Sequence, residues 1–366
     1  MNIVHLVSNK EWGGVERYVL DLCRHSADAG HSVAVITRGA KNVDAHFADA
    51  GFTPGHLPLR GALDFFSPMV LARVLNRMAA PIIIHAHNFK DAYTAVRARD
   101  LMARSADARV VVTRHRAKAA KDSGMARQLY RSVDEMIFVS EAARQAFLAG
   151  HPGCGEDKLH VVHNSIVPSV PRERVASSDG TVRLLYFGKI NRDNGVDVLV
   201  DAMAKLTDLP LQLTIAGVGS GKDVVPLMRA CSNYRINDRV DWVGQIDDVC
   251  GAIAKADIGV LPARVPEAFG MTALDFISAG VPVVATATGS LSEIFTDGID
   301  GKIVEPGNAD ALADAISLLA TDEKLRDSIS SAAKNTFETK IGYAQFFNKT
   351  TFIYEGAIKK INTRKP

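Results

Sequence analysis

The chain has 366 residues, 47% of them hydrophobic and 23% charged, with 43 Lys and Arg against 41 Asp and Glu. That balance excludes a disordered or fibrous protein, and the length suits two domains, each with its own core, better than one. No apolar run reaches the ~20 residues of a spanning helix, so any membrane association is expected to be peripheral.

The first residues run from Met1 into a strand-like NIVHLV with no basic n-region or cleavage-site pattern, so no secretory leader is expected. Cys23, Cys154, Cys231 and Cys250 stand singly in apolar stretches, which implies reduced thiols in a cytoplasmic protein. After NIVHLV comes a loop SNKEWGG, then an amphipathic helix VERYVLDLCRHSADA stopped by Gly30, then a second strand HSVAVIT. Further strands are predicted at 81–87, 109–113, 135–140 and 159–164, completing one doubly wound α/β domain over residues 1–167.

Charge is uneven along the chain. Lys and Arg outnumber Asp and Glu by 21 to 16 over residues 1–165 and trail them 22 to 25 beyond. The excess concentrates in RHRAKAAKDSGMARQLYR (114–131), where six cations face one Asp. Two readings stay open, a solvated basic helix or a surface for an anionic membrane or anionic acceptor. Nucleic acid is not expected, because no aromatic residue interleaves with the cations before Tyr130.

A proline- and serine-rich stretch over 168–181 reads as a linker. A second alternating series follows over 182–342, with strands predicted at 182–188, 211–217, 239–244, 258–263, 282–287 and 301–306. The final segment, 343–366, is expected to form an amphipathic helix that either crosses back to the first domain or lies on the second. Two such Rossmann-like domains facing each other would leave a cleft at the carboxyl ends of their strands, where open α/β sheets bind ligands.

Several stretches carry chemistry. Gly13 and Gly14 open the first helix, where bare backbone and a helix N-terminus favour a close anion, although an ordinary turn would read the same way. IIIHAHN places His85 and His87 on one face of a strand. No third ligand stands at a recognisable spacing, so no metal is expected, and His87 at the strand's carboxyl end is a candidate hydrogen-bond donor to a substrate hydroxyl. AGVGSGKD (216–223) imitates a phosphate loop, but Ala216 replaces its first Gly and Asp223 its magnesium-binding Ser/Thr; a turn is the better reading.

Lys189 and Arg192, in YFGKINRDNG, suit a diphosphate and the charge that grows on it as a leaving group; as isolated residues they read equally as surface charges. In PEAFGMTALDF, a loop carries Glu267 to a helix near Gly270, where Phe269, Gly270 and Met271 are expected to present unpaired N–H groups. Asp275 follows more than a turn later, so both carboxylates can border one pocket. The plainer alternative is a solvated Glu267 and a surface Asp275.

Taken in order, GGVER, HAH, VSEAARQ, VVHNS, FGKI with NGVDVLVDA, IAGVG, VGQIDDV, the Glu267–Asp275 segment, AGVPVVAT and DGIDGKIVEPGN resemble the retaining, nucleotide-sugar-dependent glycosyltransferases of family 4 over nearly the whole chain. The resemblance implies the two-domain GT-B fold and transfer of a sugar to a lipid-linked or cell-surface polysaccharide acceptor, at the cytoplasmic face of a membrane. It gives Glu267 and His87 to the transferred sugar near the reacting carbon, and the backbone of Phe269, Gly270 and Met271 to sugar and phosphate. Asp275 would hold the ribose, and Lys189, Arg192, Asn194 and the Gly13–Gly14 turn would approach the diphosphate. No cofactor is implied beyond the nucleotide sugar substrate, and no metal.

Three departures accompany the likeness. Lys189 stands where the family has Arg, Asn194 where it has Lys, and Asp275 where it has Glu; Arg192 is the substitute cation. These keep two alternatives in view, a catalytically impaired nucleotide-sugar-binding protein and a nucleotide-sugar epimerase on the same scaffold.

Overall fold

The computed structural model describes residues 1–167, 177, 180–246, 248–266 and 269–362. Seven parallel strands form the first sheet: β1 (Asn2–Val7), β2 (Ser32–Thr37), β3 (Gly55–His56), β4 (Ile82–Ala86), β5 (Ala108–Arg114), β6 (Glu135–Phe138) and β7 (Leu159–Val161), in the order 3-2-1-4-5-6-7. Every residue of β4, and all but the first of β1, is buried. Central strands covered by helices on both faces favour apolar side chains on both, which is why these segments read as nearly continuous apolar runs broken only by His5 and His85.

The second sheet has six parallel strands, β8 (Val182–Phe187), β9 (Leu211–Ala216), β10 (Val240–Gly244), β11 (Ile258–Leu261), β12 (Val283–Thr286) and β13 (Lys302–Val304), ordered 10-9-8-11-12-13. Its core joins Leu213, Ile215, Ile258 and Val260 of the sheet to Leu199 and Met203 of one helix and Leu312 and Ile316 of another. Both sheets reverse strand order beside their first strand, at β1/β4 and at β8/β11. In open α/β sheets that reversal opens a crevice at the strands' carboxyl ends, because the flanking connections leave to opposite faces.

Local chemistry sets the element ends. The strands predicted over 135–140 and 159–164 stop early, at Phe138 and Val161. Ser140 accepts the Ala143 N–H at 3.0 Å and so starts the helix Glu141–Leu148 instead of extending β6. Asn88 does the same for the helix Phe89–Asp100, accepting from Asp91 N–H at 2.8 Å. The two-residue β3 is too short to carry a periodic signal.

The chain forms two compact units, Met1–Asn164 together with the residues from Ala344 onward, and Ser165–Tyr343. The last helix, Tyr343–Asn362, buries Phe346, Phe347, Ile353 and Tyr354. Within the first unit Phe346 meets Tyr18 edge-on at 5.1 Å, and Lys360 Nζ lies 2.6 Å from Glu135 Oε1. The linker expected over 168–181 falls mostly outside the described residues. No helix among them is long and apolar enough to cross a membrane.

Candidate active site

The crevice of the first unit holds a cavity of about 790 Å³. Residues just past β1 (Ser8, Asn9), β4 (His87, Asn88) and β5 (His115, Arg116) line it, together with Arg60 and Lys90. Gly13 caps the helix Gly14–Asp28 in an extended conformation at φ −166° and ψ −165°. Beside it Glu16 is buried, accepts from Asn9 Nδ2 at 2.6 Å, and has its carboxyl pushed up by that burial.

Behind the cavity lies a cluster of histidines. β1 and β4 pair in a register that sets His5 opposite His85. His5 Nδ1 is 3.0 Å from His87 Nε2, and His87 Nδ1 is 3.4 Å from His115 Nε2. His85 is occupied at both nitrogens, by Tyr354 Oη at 2.6 Å and Thr113 Oγ1 at 2.8 Å. His5 Nε2 is buried without a partner.

Burial holds His5 and His115 down to about 3, and holds His85 and His87 well below the usual imidazole range, with neighbouring histidines adding to the effect. All are therefore neutral at pH 7. A neutral imidazole has one donor and one acceptor nitrogen, so His87 hands on polarity from His5 to His115 at the cavity wall.

Sequence spacing offered no third metal ligand beside His85 and His87, yet the fold supplies one. His5, His85 and His87 bring ring nitrogens within 4.8 Å of one another. The two hydroxyl partners of His85 already satisfy both its nitrogens without an ion.

In the second unit, Tyr186, Phe187, Gly188, Lys189 and Asn194 share a cavity of about 210 Å³ with residues that follow β11, Pro262 and Ala263, and with Thr272. It lies at the β8/β11 reversal. Tyr186 Oη donates to Lys189 O at 2.5 Å and receives Asn194 Nδ2 at 3.4 Å, which shapes the loop that carries Lys189. Gly195 takes φ +70°, and a Cβ there would stand 1.9 Å from Pro262 O, so only glycine lets the loop close on the strand end. Arg192 is exposed and is not among the residues lining this cavity.

Glu267 lies outside the described residues. The expectation of unpaired N–H groups at the next helix needs correction. Gly270 N–H donates to Ser290 Oγ at 3.3 Å, and Met271 N–H to Phe269 O at 2.9 Å. The loop after β12 brings Ser290 to the helix start, a contact that helix-end reasoning alone does not foresee. Nor is Asp275 a surface charge, for it is 7% exposed within the helix Met271–Ser278.

The basic segment is also not a basic helix. Arg114 ends β5 and Arg116, Lys118 and Lys121 lie in the following loop, while the helix Gly124–Ser132 contains only Arg127 and Arg131. Arg127 pairs with Asp122 at 2.7 Å and Arg131 Nε donates to Gly153 O at 3.0 Å.

Sequence reasoning missed His5, His115, Tyr354 and Asp91. A histidine inside the apolar strand NIVHLV was a usable signal, since an uncompensated polar side chain there needs a partner across the sheet. Asp91 is fully buried, accepts from Ser8 N–H at 3.1 Å and Asn88 Nδ2 at 2.7 Å, and is raised by burial to about 7.

Two family models match adjoining parts of the chain: Glycosyltransferase Family 4 over residues 12–170, and Glycosyl transferases group 1 over residues 171–336. A glycogen synthase of Mycobacterium tuberculosis is 26% identical, over 97% of this chain and 93% of its own length. A D-inositol 3-phosphate glycosyltransferase of Pseudarthrobacter chlorophenolicus is 27% identical, over 88% and 85%. Among solved structures, a glycosyltransferase from Rickettsia africae superposes with a TM-score of 0.84 at 20% identity, covering 98% of each chain. Anabaena HepE in complex with UDP superposes at 0.82 and 17% identity, covering 97% of this chain and all of its own. The paired parallel sheets are thus those of the GT-B fold, and the chain belongs to the family 4, group 1 glycosyltransferases.

Proposed function

We propose that this glycosyltransferase moves a sugar, with retained anomeric configuration and without a metal, from a nucleotide diphosphate sugar to a saccharide or lipid-linked saccharide acceptor. The observation that carries the reading is the cavity at the β8/β11 reversal, where Lys189 and Asn194 meet the strand ends within the group 1 domain. HepE, similar in fold, has been solved with UDP-glucose, which supports a nucleotide sugar as the donor class. In this reading Lys189 and Asn194 hold the diphosphate, and the Gly13–Gly14 turn approaches it. Asp275 holds the ribose, and Glu267 with the backbone of Phe269, Gly270 and Met271 holds the sugar, the ligand taking the place of the 3.3 Å bond from Gly270 N–H to Ser290 Oγ.

The acceptor oxygen then forms its bond to the anomeric carbon on the face from which the diphosphate departs. The carbon–oxygen bond to the β-phosphate breaks, and the acceptor's proton passes to the leaving diphosphate. Lys189 stabilises the charge that develops there. His87, neutral, donates a hydrogen bond to a sugar hydroxyl near the reacting carbon; its 3.4 Å link to His115 is the longer and weaker of its two contacts, and the one a substrate can replace.

A thermal-shift screen of UDP-, GDP- and ADP-sugars tests the donor site, since a ligand that binds only the native state raises the melting temperature. A shift by none of them at millimolar concentration refutes the donor assignment. Glu267→Ala should abolish transfer while leaving the melting temperature unchanged, and EDTA should leave the rate unchanged. Release of nucleoside diphosphate on transfer separates the transferase from a binding-only protein or an epimerase.

A further inference from the structure

Six cations line the cavity of the first unit: Arg60, Lys90, Arg114, Arg116, Lys118 and Lys121. No Asp or Glu is among the lining residues described. We propose that this cavity is a subsite for a phosphate group carried by the acceptor, an inference that rests on the transferase reading above and names the chemical class of its second substrate.

The pairing of charges elsewhere in the same unit makes the contrast. Arg99 meets Asp134 at 2.9 Å, Arg144 meets Glu156 at 2.7 Å and Glu141 at 2.9 Å, and Arg127 meets Asp122 at 2.7 Å. None of the six cavity cations has a carboxylate within ion-pair distance among the described residues. Like charges gathered in a concavity repel one another, least screened at Arg114, which is half-buried while the other five are exposed. A solvated surface does not need such an arrangement, whereas a ligand with more than one negative charge turns it into attraction.

Arg114 shows how the site is built. Its guanidinium lies over Phe89 and Phe147, 5.0 and 5.3 Å from the ring centres. One amino group donates to the carbonyls of Lys118 and Ala119, which holds the basic loop against the cavity, and Nε is buried without a partner. Burial lowers the guanidinium below its usual range, as expected of a cation held without a counter-charge.

Two helix N-termini add to the field. The helix Phe89–Asp100, capped by Asn88, and the helix Gly124–Ser132, capped by Ser123, both begin at the cavity wall. Apolar and aromatic side chains, among them Val15, Tyr93, Met125 and Leu129, complete the lining, so a phosphate attached to a carbon skeleton fits better than free phosphate alone.

The test titrates the full chain with glucose 6-phosphate against glucose, and with farnesyl phosphate in detergent against farnesol, at two salt concentrations. At least one phosphorylated probe should bind about tenfold or more tightly than its neutral parent, as lost charged hydrogen bonds predict, and should weaken with salt. The probe that does so tells a soluble sugar phosphate from a lipid-linked one. Replacing Arg116→Ser and Lys118→Ser together should remove that preference without lowering the melting temperature of the free protein, because the change relieves repulsion.

Equal binding of both phosphates and their neutral parents, or an unaltered preference in the double variant, overturns the proposal. If nucleotide sugars still raise the melting temperature in that case, only the subsite falls. If they do not, while phosphate preference persists, the donor assignment falls and the subsite stands.

Discussion

Tyr354 Oη lies 2.6 Å from His85 Nδ1, joining residues 269 positions apart. The contact ties the last helix to a central strand of the first sheet. A hydroxyl can rotate to donate or accept, so it satisfies His85 in either neutral tautomer. Tyr354→Phe leaves a buried ring nitrogen unpartnered and should cost about 1–3 kcal/mol. Urea denaturation followed by tryptophan fluorescence measures it, with Trp12 in the first unit as a reporter.

Acid should unfold the first unit early. His5 and His115 titrate at about 3 in the fold against an ordinary 6.5, and His85 and His87 are also lowered. A depressed histidine gives stability that is fully present above the unfolded value and is lost as pH falls below it, because the unfolded chain then binds protons the native state refuses. The urea midpoint should fall steadily from pH 6.5 towards pH 4, and His5→Phe should flatten part of that fall.

Asp91 acts with the opposite sign. Raised from 3.8 to about 7, it binds a proton more tightly in the fold, so its contribution to stability is largest below pH 4 and declines as pH rises to 7. Asp91→Asn keeps an acceptor for the Ser8 and Asn88 donors and should stabilise the protein by about 1–3 kcal/mol at pH 8, with little effect at pH 4. A gain that is the same at both pH values contradicts the assignment.

Gly195→Ala should damage both fold and donor binding. The new Cβ meets Pro262 O in a left-handed conformation, and the strain should cost about 2 kcal/mol or more. Because the loop carries Asn194 and Lys189, the melting shift produced by a nucleotide sugar should shrink as well. Calorimetry with and without the donor separates the two effects.

Lys189→Ala should lower kcat by roughly 10²–10³ while leaving the protein folded, since its side chain is exposed and serves the leaving group. Steady-state release of nucleoside diphosphate gives the rate. Lys189→Arg, which supplies a two-pronged guanidinium, should retain or raise activity.

Much of the fold was legible because parallel strands buried on both faces leave continuous apolar runs, and each was followed by a helix-length segment. NIVHLV and IIIHA became β1 and β4 within a residue of their expected limits. Gly13 marked a helix entrance, although its backbone there is extended and open to any residue, whereas the left-handed turn at Gly195 was not read from the sequence. The basic run 114–131 was legible as charge but not as structure, since six cations look alike whether they sit on a helix or on a loop at a cavity wall.

The sequence by itself determined the alternation of strands and helices, the family motifs and the uneven charge, because each is written within one element or one short spacing. Only the tertiary structure decided which polar groups share a place: His5 with His87, His85 with Tyr354, Ser290 with Gly270, and four further cations with Arg60 and Arg114 around one cavity. Those meetings depend on parallel register and crossover connections spanning tens to hundreds of residues. Periodicity is blind at that range, since it repeats every two or 3.6 residues and ends with the element that carries it.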